Sequence, residues 1–90
     1  MNVQWGLFTS NAGTSFQGQS EAENAMRGQG YAIYTPANND SYAVIGGNGN
    51  VIVQATFVPQ GSGQYVVVTA YADDEPSAEQ ARNVIRSGIR

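Results

Sequence analysis

Residues 51–72 read Val51-Ile52-Val53-Gln54-Ala55-Thr56-Phe57-Val58-Pro59-Gln60-Gly61-Ser62-Gly63-Gln64-Tyr65-Val66-Val67-Val68-Thr69-Ala70-Tyr71-Ala72. Two stretches rich in β-branched and aromatic residues flank a short Gly/Ser segment, the pattern of a β-hairpin. A two-residue Gly61-Ser62 turn with glycine first, type II′, would pair Phe57 with Val66, Ala55 with Val68 and Val53 with Ala70. That register collects Val51, Val53, Ala55, Phe57, Val66, Val68 and Ala70 on one face. Paired residues share a face, so the hairpin sorts its own side chains into an apolar layer and a second layer.

Working towards the N-terminus, Tyr42 to Ile45 reads as the preceding strand. It leads into Gly46-Gly47-Asn48-Gly49, and Asn-Gly is a strong signal for a type I′ turn, which needs positive φ at both central residues. With Asn48-Gly49 as the loop, Ile45 pairs with Ile52, Val44 with Val53 and Tyr42 with Ala55. This second turn assigns the residues of strand 51–58 to the same faces as the first. Tyr31 to Thr35 is a further strand, ended by Pro36 and the Asn38-Asn39-Asp40 turn cluster.

Val3, Trp5 and Leu7 alternate with Gln4 and Gly6, an N-terminal strand with one apolar face. Thr9 to Gln19 is polar and reads as a loop. Ser20-Glu21-Ala22-Glu23 fits a capping box, with the small face Ala22, Ala25, Met26 following and Gly28 or Gly30 as the stop. At the other end, Asp73-Asp74-Glu75-Pro76 opens a helix, since carboxylates and an early proline suit a helix N-terminus. Ala78, Ala81, Val84, Ile85 and Ile89 form its core-facing stripe, Arg82 and Arg86 lie on another face, and Gly88 is the candidate cap. The expected fold is a single α+β domain over 1–90, in the order β-α-β-β-β-β-α. Its sheet is mainly antiparallel, with both helices packed on one side.

The run Val44 to Gly49, the strands Val51 to Pro59 and Tyr65 to Val68, and the closing Arg-containing amphipathic helix resemble small bacterial α+β domains of uncharacterised function. The resemblance implies this fold and no particular activity.

Ninety residues make one modest core, burying about 60–65% of the unfolded chain's surface. Only 12% of the residues are charged and the net charge is −3, from four arginines, seven acids and no lysine or histidine. A phosphate-backbone binder needs a positive patch, so nucleic acid is not an expected partner. No apolar run reaches the length of a membrane span, and no membrane insertion is expected. The chain has no Cys, His or Lys, which removes disulfides, thiolate chemistry, Ser-His and Cys-His relays, Schiff bases and the usual zinc sites. Met1 leads directly into strand-like sequence. The chain is then either intracellular or an exported domain whose leader is gone, and the Asn/Gln/Gly-rich, lysine-free composition favours export.

The remaining motifs have ordinary structural readings. Gly46-Gly47-Asn48-Gly49 joins two strands and lacks a basic residue, so it reads as a hairpin turn and not as a phosphate loop. Asp73, Asp74 and Glu75 read as capping groups, since consecutive carboxylates do not converge on one cation. Asp40 and Asp73 are the only candidate acids outside the helices, and nothing in the sequence brings them together. Asn39-Asp40-Ser41 matches a glycosylation sequon. No cofactor, metal site or catalytic residue is expected.

The distinctive feature is the second sheet layer. The derived register places Ile45, Ile52, Gln54, Thr56, Val58, Tyr65, Val67, Thr69 and Tyr71 on the face away from the helices, with no charge among them. Contiguous exposed apolar surface marks an interaction site. The expectation is a non-catalytic module that self-associates as a homodimer or binds a protein partner through this face. Alternatives are a carbohydrate-type site using Tyr65 and Tyr71 with Gln54 and Thr69, a small carboxylate/Tyr hydrolase, or an N-terminal segment (Trp5, Phe8, Phe16) folded across the face as a cover.

Overall fold

The computed structural model describes residues 2–10, 14–60 and 63–89, with the side chain of Gln60 left aside. The elements are β1 (Asn2–Ser10), α1 (Ser15–Gly28), β2 (Ala32–Thr35), β3 (Ala43–Gly47), β4 (Val51–Gln60), β5 (Gly63–Ala72) and α2 (Glu75–Ser87). The strands form one antiparallel sheet in the order β1-β5-β4-β3-β2. α1 packs under β2, β3 and β4, and α2 under β1 and β5, so both helices cover the same face. This is the α+β architecture expected from the sequence.

The core lies between the two layers. Val44, Val51, Val53, Ala55, Phe57, Val66, Val68 and Ala70 point down from the sheet. Ala22 and Met26 of α1 meet them from below, with Ala78, Ala81 and Ile85 of α2. Phe57 is the largest fully buried side chain. Its ring lies against Gly18, where an added Cβ would sit 2.6 Å from Cε2. Glycine inside a helix ordinarily weakens it, and this close approach is why one is present.

The hairpin β4–β5 has the derived register, with Phe57 opposite Val66, Ala55 opposite Val68 and Val53 opposite Ala70. The type of its Gly61-Ser62 turn lies outside the described residues. The β3–β4 register differs from the Asn48-Gly49 expectation by two residues: Val44 pairs with Ala55, Ile45 with Gln54 and Gly46 with Val53. The chain reverses one position later, through Gly49-Asn50. The Asn48 N–H donates to the Val51 carbonyl at 2.9 Å, and the Asn48 Oδ1 accepts from the N–H groups of Asn50 and Val51. Among the described residues only Gly30 has positive φ, so the loop is not a I′ turn. The asparagine side chain supplies the turn instead. A shift of two preserves side-chain parity, which is why every face assignment survives it.

α1 also starts earlier than the capping-box expectation at Ser20. Thr14 is the N-cap, and its Oγ1 accepts from the Gln17 N–H at 3.0 Å. Ser20 lies inside the helix. Glu23, instead of closing a box, accepts from the Ala37 N–H and pairs with Arg27. The segment read as a loop from Thr9 to Gln19 thus contains the end of β1 and the first turn of α1. Gln19, fully buried, ties that turn to the β2–β3 connection: its Nε2 donates to the Ser41 carbonyl and its Oε1 accepts from the Asn38 N–H. At the far end Gly30, at φ 78°, provides the left-handed stop, and the Tyr31 N–H returns to the Met26 carbonyl. Thr14→Ala is expected to cost about 1 kcal/mol in chemical denaturation and Ser20→Ala much less. The reverse order would contradict this helix start.

α2 begins as expected. Asp74 is its N-cap, accepting from the Ser77 N–H and the Ser77 hydroxyl, and Pro76 stands in the first turn. Those bonds hold the Asp74 carboxyl below the usual aspartate range, the hydroxyl contributing most. The stabilisation is present while the carboxylate is ionised and is lost as the pH falls from the ordinary aspartate range towards the lowered value. The Tm gap between wild type and Asp74→Ala is therefore expected to be open at neutral pH and to narrow in acid. A gap that does not change with pH would contradict the assignment.

Candidate functional site

The sheet face opposite the helices is built in four rows across the strands. The register aligns Val3–Tyr71–Ile52–Gly47, then Trp5–Thr69–Gln54–Ile45, Leu7–Val67–Thr56–Ala43, and Thr9–Tyr65–Val58. Alternation along each strand sends these side chains outward while their neighbours enter the core. No row contains a charged residue. Among the described residues Trp5 is 64% exposed, Leu7 58% and Val3 48%, Ile52, Val58 and Tyr65 are also exposed, and Ile45, Val67 and Tyr71 are half-buried between them. Gln54 Nε2 donates to Thr56 Oγ1 at 3.1 Å, so these two polar groups partly satisfy each other within the surface.

All nine residues assigned to this face from the sequence lie on it. The N-terminal segment is where the structure differs. β1 does not fold across the face as a cover; it joins the sheet edge-on beside β5 and adds Val3, Trp5 and Leu7 to the patch. Phe8 points to the other side, where the Arg86 guanidinium stands 4.8 Å from its ring centre. Phe16 lies on α1. The alternation Val3-Trp5-Leu7 carried the signal that these three share a face. Which face it was depended on a pairing with residues sixty or more positions away.

Other candidate groups do not converge. Asp74 is engaged as a helix cap. Asp40 precedes β3 at the end of the sheet near Thr56, whereas Asp73 follows Ala72, which pairs with Val51 at the opposite end. Among the described residues no three acids gather as a cation site would require. Tyr65 and Tyr71 are six residues apart on one strand, about 20 Å, too far to bracket a single sugar ring. A recess of about 280 Å³ lies on the helix side, between the β3–β4 turn and α2, lined by uncharged groups including Gln29, Asn50 and Gln80. Burial raises the pKa of the Tyr31 phenol in its wall.

These features define a two-layer α+β domain whose sheet is covered on one side by helices and open on the other. Compared with models of known protein families and with curated proteins, the sequence matches none. Among the described residues no helix is long and apolar enough to cross a membrane.

Proposed function

We propose that the protein is a non-catalytic interaction module whose open sheet face binds a second copy of itself. The observation that carries this reading is the uncharged four-row surface with Trp5, Leu7, Val67 and Tyr65 at its centre and rim. Exposed apolar patches of this extent mark interaction sites. Two copies related by a two-fold axis bury one patch against itself, and a surface without charges meets no like-charge repulsion in doing so. From strand spacing and length, the face measures about 600 Å². A pair then buries ~1,200 Å², at the lower end of the range for specific complexes. Aromatic anchors surrounded by Thr and Gln fit the composition of interface cores.

Val67 sits near the middle of the patch and its side chain faces away from the core. Val67→Lys is expected to halve the native mass measured by light scattering while leaving the circular dichroism spectrum unchanged. An unchanged mass would remove this face as the interface.

A further inference from the structure

We infer that the outer edge of β1 is a second and separate interface, at which β1 of another copy pairs antiparallel to continue the sheet. Parity along the strands decides which backbone groups are available there. The Phe57 N–H donates to the Tyr42 carbonyl, so the odd-numbered residues of β4 bond to β3, and its even-numbered residues bond to the odd-numbered residues of β5 that they face. The even-numbered residues of β5 bond to β1, through Asn2, Gln4, Gly6, Phe8 and Ser10. The N–H and C=O groups of Val3, Trp5, Leu7 and Thr9 therefore point outward from the sheet. A second bond agrees with this parity, from the Asn48 N–H to the Val51 carbonyl. The Arg82 Nη1 reaches the Trp5 carbonyl at 3.4 Å, which fits an oxygen that faces away from β5.

The two edges of the sheet contrast. β2 is four residues long, its register is interrupted between Ile33 and Thr35, and Pro36 follows it. Such features keep edges from pairing. β1 has nine residues with continuous register and neither proline nor a charge. A long edge of uncharged residues is a template for another strand, and among the described residues the one bond given to its outward groups is the long one from Arg82 to the Trp5 carbonyl.

The occupant is a second copy, because this edge is self-complementary. With the two-fold axis at Gly6, Trp5 pairs with Leu7 of the second copy, Val3 with Thr9 and Asn2 with Ser10, which engages the whole strand. The same register places Gln4 opposite Phe8 of the second copy. Gln4 Nε2 donates to Glu75 and Phe8 carries Arg86, so each Glu75 comes level with an Arg86 of the other chain. The Arg82 side chains come nearest the axis, each already held by Gln4 Oε1 and Asn83 Oδ1. The long bond from Arg82 to the Trp5 carbonyl gives way to the Leu7 N–H of the second copy. Edge pairing and face stacking use different surfaces. Combined, they make a tetramer of two stacked ten-stranded sheets.

Leu7→Pro tests the edge, with Leu7→Ala as its control, since that variant loses the same side chain from the open face but keeps the N–H and should keep the wild-type mass. It deletes an N–H that points away from β5, and proline is tolerated at such an edge position. The expected result is a native mass half that of wild type with an unchanged circular dichroism spectrum. An unchanged mass overturns the inference. If Leu7→Pro fails to fold, or Leu7→Ala also halves the mass, charge exchange on the helix side decides instead: Glu75→Arg alone should halve the mass and Glu75→Arg with Arg86→Glu should restore it. A single variant that keeps the wild-type mass, or a double variant that does not regain it, overturns the inference. The two interfaces fail separately. Halving by Val67→Lys but not by Leu7→Pro leaves only the face, and the reverse leaves only the edge.

Discussion

Phe57→Ala is expected to destabilise the fold by about 3–5 kcal/mol, seen as a lower denaturation midpoint at unchanged m-value. Phe57 is fully buried and is the largest side chain in the core, where both faces of its surroundings are fixed by secondary structure. α1 below it cannot collapse readily into the vacated space, because Gln19 and Thr14 anchor the helix start. A domain of this size has a stability of the order of 5–13 kcal/mol, so the loss removes a large share of it. A cost below about 1 kcal/mol would mean that the ring is not the centre of the core.

The second large effect concerns the glycine beneath that ring. In an exposed helix Gly→Ala gains up to about 1 kcal/mol. Here the added methyl would lie 2.6 Å from Phe57 Cε2 and 2.7 Å from Cδ2, and a buried phenylalanine has nowhere to move. Gly18→Ala is therefore expected to destabilise by about 1–3 kcal/mol. In the Phe57→Ala background the clash disappears, and the same substitution should become neutral or stabilising. Residues in direct contact are coupled, and a double-mutant cycle by chemical denaturation measures that coupling. Additive effects would contradict the packing of α1 on β4.

Much of this arrangement was legible in the sequence because it is local. The β4–β5 hairpin register is legible from the alternation of its two strands and the short Gly/Ser segment between them in the sequence, all within twenty-two residues. The α2 start is carried by Asp74 and Pro76, whose preferences act within one helical turn. The β3–β4 turn was misplaced because Asn48-Gly49 is a strong I′ signal. The structure uses the asparagine side chain as a turn acceptor, and the register moves by two. Even displacements leave parity intact, so Ile45, Ile52, Gln54 and Thr56 remained on the outer face.

What escaped the sequence reading depends on tertiary contact. Gly18 reads as part of a polar loop until Phe57 is placed against it, and Ser20 reads as a cap until Thr14 is seen to occupy that role. Gln19 gives no local sign of burial, since its partners come from the β2–β3 connection some twenty residues away. β1 had an apolar side in the sequence but no sheet to join. Its pairing with β5 converts Trp5 and Leu7 from a conceivable cover into the most exposed part of the patch.

The central claim is that the uncharged outer face is a surface for self-association. Sedimentation equilibrium of the wild-type chain, carried to high protein concentration, tests it most directly. The expected mass is a multiple of the 9.5 kDa chain, and Val67→Lys, which leaves the β1 edge intact, is expected to halve it. A mass that stays at 9.5 kDa at every concentration would contradict it.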